Sequence, residues 1–156
     1  MKTKEIINEL LVSAVADKVS DIFFFPKREE TVVEFRTIKG VERQKSFPLN
    51  EGQEIINFFK YSAQMDIAEH RRPQVGAMIF NADEQEYYLR LSSLGDFSDQ
   101  ESLVVRIIYG IDHSQYFMDK QLENIKSLAS RRGLIITSGP TGSGKTTTMY
   151  EVAKEI

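Results

Sequence analysis

Apolar residues recur at helical spacing from Lys4 to Ala16, with Ile6, Ile7, Leu10, Leu11, Ala14 and Val15 on one stripe, which predicts an amphipathic helix. SDIFFFP (20–26) then reads as a short strand stopped by Pro26, and KREE as a polar turn. TVVEFRT (31–37) alternates, with Val33 and Phe35 on one face and Glu34 and Arg36 on the other. Lys39-Gly40 turns the chain into VERQKSF (41–47), giving a hairpin. A second helix is predicted over 51–65, capped by Asn50 with Gln53 three residues on, burying Ile55, Ile56, Phe59 and Ala63. Three strands follow: VGAMIF (75–80), EYYLRLS (86–92) and SLVVRII (102–108).

The period changes after that. YGIDHSQY (109–116) has none and reads as a linker, Met118, Leu122, Ile125 and Ala129 mark a helix, and GLIITSG (133–139) reads as a buried strand entering a glycine-rich loop. The fold class is therefore an α+β domain, a sheet backed by helices, over 1–108. The linker at 109–116 joins it to the truncated start of a P-loop α/β domain over 117–156.

Composition narrows the field. Hydrophobic residues at 41% and charged residues at 28% are the balance of a globular domain, and no apolar run is long enough to cross a bilayer as a helix. With no Cys, disulfides and thiolate metal sites are excluded. A formal charge of −3 argues against a general nucleic-acid binder, so no direct nucleic-acid partner is expected. His70 and His113 stand apart without ligand partners at metal spacing, and EHRR (69–72) reads as a solvated turn.

The chemistry is concentrated in GPTGSGKTTTMY (139–150), which fits G-x-x-x-x-G-K-[ST] from Gly139 to Thr146. Gly139, Gly142 and Gly144 let backbone N–H groups turn inward around a phosphate, while Pro140, Thr141, Ser143 and Thr147 complete the loop. The Lys145 ammonium would reach the β- and γ-phosphates of ATP, the Thr146 hydroxyl would ligate Mg²⁺, and the helix starting there adds the positive end of its dipole. Chance would produce this pattern in a chain this long on the order of once in 200. Hydrolysis needs more, namely an acidic residue supporting Mg²⁺ and a group that orients water. In P-loop folds these lie on later strands. This chain is expected to be a fragment that does not turn over ATP, with a loop short of sheet support.

The extended loop resembles that of the type II secretion and type IV pilus assembly ATPases. AVADKVSDIFFFP (14–26), MDIAEHRRPQVG (65–76) and LRLSSLGDFSDQESLVVRII (89–108) are similar to further segments of that family, so the resemblance covers nearly the whole chain. It implies a hexameric motor in which a small N-terminal domain is linked to a RecA-like ATPase domain. The motor drives pilin-like subunits through an inner-membrane platform protein and sits peripherally at the cytoplasmic face. The short N-terminal region resembles the competence ATPases that assemble a DNA-uptake pseudopilus. The resemblance also implies that Arg90 and Arg106 reach the γ-phosphate across the domain interface, whereas Arg36 reads as a solvated strand residue. Phe23 stands where the family usually has His, and Val75 and Ala77 replace the Asp and Arg beside the family glycine, Gly76 here, which removes one phosphate contact. Two other readings stay open: a non-catalytic interaction or oligomerisation module, and a P-loop protein that translocates DNA.

Overall fold

The computed structural model describes residues 2–96, 99–109, 119–140 and 143–153, and divides into two compact units, Met1–Tyr109 and Gly110–Ile156. The first unit runs α1 (Lys2–Ala16), β1 (Asp21–Pro26), β2 (Glu30–Thr37), β3 (Gly40–Pro48), α2 (Leu49–Ser62), β4 (Gln74–Ala82), β5 (Gln85–Gly95) and β6 (Glu101–Ile108), so each helix is followed by three strands. The six strands form one antiparallel sheet in the order β3-β2-β1-β6-β5-β4.

Alternation divides the sheet into two faces. Ile22 and Phe24 of β1 stand opposite Phe35 and Val33 of β2 and Val105 and Leu103 of β6, and all six are buried in one cluster with Ile7, Leu10 and Leu11 of α1 and Ile55, Ile56 and Phe59 of α2. The apolar stripes of both helices thus feed one core, and hydrophobic burial there holds the unit together. The opposite face carries Phe23 and Phe25, stacked with ring centroids 5.5 Å apart, and Val75, Ile79, Tyr88, Leu94 and Ile108, which are exposed.

Two details depart from expectation. Asn50 does not cap α2, because β3 runs straight into the helix and Pro48 occupies the cap position with φ −50°, an extended ψ of 149° and no side-chain cap bond. Proline suits this junction because its fixed φ is compatible with the helix entry. Gln53 instead bonds Asn57 along the helix at 3.0 Å. Of the expected linker, residues 110–116 lie outside the described residues, while Tyr109 is anchored in the first unit. Its phenol donates to the Val19 carbonyl at 2.8 Å, with the Ala14 carbonyl 3.3 Å away, and its ring meets Tyr87 edge-on at 5.9 Å.

The second unit has α3 (Asp119–Ala129) and α4 (Lys145–Ala153). The segment 133–139, expected as a buried strand, forms no ladder: Leu134 is 83% exposed and Ile136 77%. A strand needs a hydrogen-bonding neighbour and cover on its faces, and among the described residues this unit supplies no second strand.

Candidate functional site

The glycine loop and the first turn of α4 form one element. Gly144 has φ +80°, a left-handed backbone that a side chain would strain, and it turns the chain into the helix at Lys145. The first helical bond follows at once, from the Thr148 N–H to the Gly144 carbonyl at 2.9 Å. A Cβ on Gly139 would fall 2.9 Å from Ser143 Oγ, so the loop closes tightly there. Ser143 N–H donates to the Pro140 carbonyl at 3.3 Å, and Lys145 Nζ donates to the same oxygen at 2.5 Å. The ammonium therefore lies across the loop, and among the described residues it has no carboxylate partner. Thr146 and Thr147 are exposed on the first turn. Thr141 and Gly142 lie outside the described residues.

These residues fit a phosphate group. The Gly144 turn, a helix N-terminus and a lysine with no carboxylate partner among the described residues lie together, and each favours negative charge. Lys145 would hold the phosphate oxygens, and the Thr146 hydroxyl is available to a magnesium ion that comes with the nucleotide. No group of three acidic or histidine side chains placed to hold a metal by itself occurs among the described residues.

The first unit carries a separate charged feature on its outer face. Register aligns Arg36 of β2, Asp21 of β1, Arg106 of β6 and Arg90 of β5 in one row across four adjacent strands. Asp21 is buried, its side chain 4% exposed, and accepts from Arg106 Nε at 2.8 Å and from Ser20 Oγ at 3.0 Å; Arg36 Nη1 lies 3.6 Å from its other oxygen. The Arg36 guanidinium also stacks over Phe23, 4.8 Å from the ring centre. Arg90 is exposed directly opposite Arg106, and among the described residues it pairs with no carboxylate. Like charges facing each other across a ladder are unfavourable, and here the Asp21 carboxylate beside Arg106 compensates one of the two. Beside Arg90 an open groove of about 770 Å³ is lined by Val75, Ala77, Ile79, Tyr88 and Ile108.

Sequence reasoning picked out Arg90 and Arg106, and the structure brings them side by side. Asp21 was not singled out there; Arg36, expected as a solvated strand residue, is exposed and stands in the same row, 3.6 Å from Asp21. Alternation in SDIFFFP already placed Asp21 on the face of Phe23 and Phe25, a carboxylate among aromatics, and that signal could have found it. His70 Nδ1 lies 3.3 Å from Glu101 Oε2, and His113 lies outside the described residues. EHRR is only partly a solvated turn. Glu69 accepts the backbone N–H groups of Arg71 at 2.8 Å and Arg72 at 3.1 Å, which holds its carboxyl below the ordinary value, while Arg71 clasps Asp99.

The type II/IV secretion system protein model matches residues 2–156. The competence protein ComGA of Streptococcus pneumoniae is 35% identical over 155 residues, covering 98% of this chain and 49% of the relative. ComGA of Bacillus subtilis is 31% identical over 156 residues, covering 97% of this chain and 44% of the relative. The chain thus spans just under half the length of these relatives. The X-ray structure of the Legionella pneumophila ATPase DotB shares the fold with a TM-score of 0.54 at 16% identity, covering 96% of this chain and 41% of that one. A match running from the first helix through the glycine loop leaves one assignment: the chain belongs to the type II/IV secretion system protein family.

Proposed function

We propose that this chain supplies the nucleotide-binding loop and the phosphate-contacting domain of a motor that hydrolyses ATP to assemble pilus-like filaments. The observation that carries the reading is the loop itself: Gly144 turns into α4 and leaves the Lys145 ammonium across the loop, without a carboxylate partner among the described residues. ATP would be held through its phosphates by Gly139–Thr147, with Mg²⁺ on Thr146. The arginine row would meet the γ-phosphate when the domains close, coupling movement to nucleotide state. In-place guanidiniums stabilise the charge of a transferring phosphoryl group without reorganising at the moment of reaction.

On this reading the complete protein works as a homo-oligomer, a hexamer, against a membrane platform protein, and its filament is a competence pseudopilus, in keeping with the likeness to competence proteins. It would sit peripherally at the cytoplasmic face of the membrane; no helix among the described residues is long and apolar enough to cross one. The isolated 156 residues would bind and interact without turning over ATP. The bare segment 134–136, with its exposed Leu and Ile, supports that second, non-catalytic role for the chain alone. The test is Lys145→Ala in the complete protein: ATP-dependent turnover and filament assembly should disappear, and a fully active variant would remove the phosphate-holding role. ATPase activity of the 156-residue chain well above background would refute its proposed inactivity.

A further inference from the structure

The central strand of the sheet puts a buried carboxylate between two arginines, an arrangement that does more than fill hydrogen bonds. We propose that Asp21 is the resident anion of the arginine row: it holds Arg106 and Arg36 in line until a phosphate arrives, then yields Arg106 to it and limits how tightly the row binds. This rests on reading the row as a phosphate-contacting site.

Asp21 is tied in redundantly. One oxygen takes Arg106 Nε at 2.8 Å; the other takes Ser20 Oγ at 3.0 Å and stands 3.6 Å from Arg36. Arg106 can therefore leave without stranding a buried charge, because Ser20 stays and the loose Arg36 contact can shorten. The partners are matched to that exchange. Arg106 is 59% exposed and Arg36 49%, against 4% for Asp21, so the guanidiniums can move into solvent while the carboxylate cannot. The backbone around Asp21 is pinned on both sides, by Ser20 N–H to the Arg36 carbonyl at 2.8 Å and Ile107 N–H to the Ser20 carbonyl at 3.0 Å.

Charge gives the consequence. Three guanidiniums and one carboxylate attract a polyphosphate, but the carboxylate repels it at close range. Guanidinium prefers a phosphate it can grip with two N–H groups, whereas Asp21 engages Arg106 through Nε alone. The row thus binds when phosphate is presented and lets go when it is withdrawn, as a cycling contact must.

The experiment uses the 156-residue chain carrying Lys145→Ala, which removes the glycine loop as a second phosphate site, and inorganic triphosphate as the probe at low ionic strength. Asp21→Asn keeps the shape and the acceptor but removes the charge, and should tighten binding about tenfold by calorimetry. Glu5→Gln makes the same change of net charge at an exposed position on α1, which packs on the other face of the sheet, and should leave binding within about twofold. Adding Arg106→Ala to Asp21→Asn should cancel the gain. If Arg106→Ala weakens binding but Asp21→Asn leaves it unchanged or weaker, the role of Asp21 is overturned while the row survives. If Arg36→Ala, Arg90→Ala and Arg106→Ala all leave binding unchanged, the row itself is refuted. The chain with Asp21 intact offers a readout that needs no variant at that buried position: its Arg106 Nε–H resonance should shift as triphosphate saturates, and a resonance that stays in place would overturn the exchange.

Discussion

Lys60 and Glu101 form an ion pair sealed in the first unit, both side chains 0% exposed. Lys60 Nζ donates to the two Glu101 oxygens at 2.8 Å each and to the Glu69 carbonyl at 2.7 Å, so every ammonium proton has an acceptor. Lys60→Met removes the cation and leaves Glu101, among the described residues, with His70 alone at 3.3 Å. Breaking a buried pair from one side costs about 3–5 kcal/mol, because the surviving charge loses its compensation. Against a total of about 5–15 kcal/mol for a domain, that is roughly a fifth or more of the stability. For a unit of this size it corresponds to a fall in Tm of roughly 15–30 °C. Replacing both residues, with Lys60→Met and Glu101→Leu, should recover much of the loss, since a well-packed apolar pair needs no desolvation. Urea denaturation followed by circular dichroism, run as a double-mutant cycle, measures this. A loss below about 1 kcal/mol in Lys60→Met, or a double variant as unstable as the sum of the singles, would refute the reasoning.

Other predictions concern the neighbouring structure. Burial, with Tyr87 nearby, pushes the Tyr109 phenol up from 10.0 to about 12. Folding therefore favours its neutral form, and the stability it contributes is intact below pH 10 and lost as pH rises toward 12; a phenolate titration in which all tyrosines ionise together near 10 would contradict this. Tyr109→Phe, which strands the Val19 carbonyl, should lower stability by about 1 kcal/mol, and an unchanged urea midpoint would count against that bond. Gly95→Ala would put a Cβ 1.8 Å from the His70 carbonyl oxygen, so the 66–73 loop must shift, at a cost of roughly 1–3 kcal/mol. Limited proteolysis should then cut within that loop; resistance equal to the parent chain would show the contact to be soft.

Local pattern made most of the fold legible. Five strands and the two helices of the first unit follow from periods of two and 3.6, because one face of each enters a single core, whereas β3, exposed but for Ser46 and Phe47, was legible from the Lys39-Gly40 turn. What pattern could not carry is pairing at long range. Asp21 meets Arg106 across 85 residues, and only that pairing turns an unremarkable strand arginine, Arg36, into part of a charged row. Lys60 lies on an amphipathic helix where a lysine ordinarily faces water, and its burial depends on Glu101 arriving from another strand. The segment 133–139 went the other way. Its apolar run encodes a strand, but a strand takes its bonds from neighbours, and none is present among the described residues of that unit. The glycine loop was legible because its pattern is local, a turn, a lysine and a helix start in succession.

The central claim is that the loop holds the phosphates while the arginine row acts on the γ-phosphate. Steady-state ATP hydrolysis by the complete protein, measured together with nucleotide affinity, tests it most directly. Arg106→Ala and Arg90→Ala should each lower kcat by about 10²-fold or more while leaving ATP binding nearly unchanged and the fold intact. Lys145→Ala should abolish turnover. Arginine variants that hydrolyse ATP at the parent rate would contradict the account.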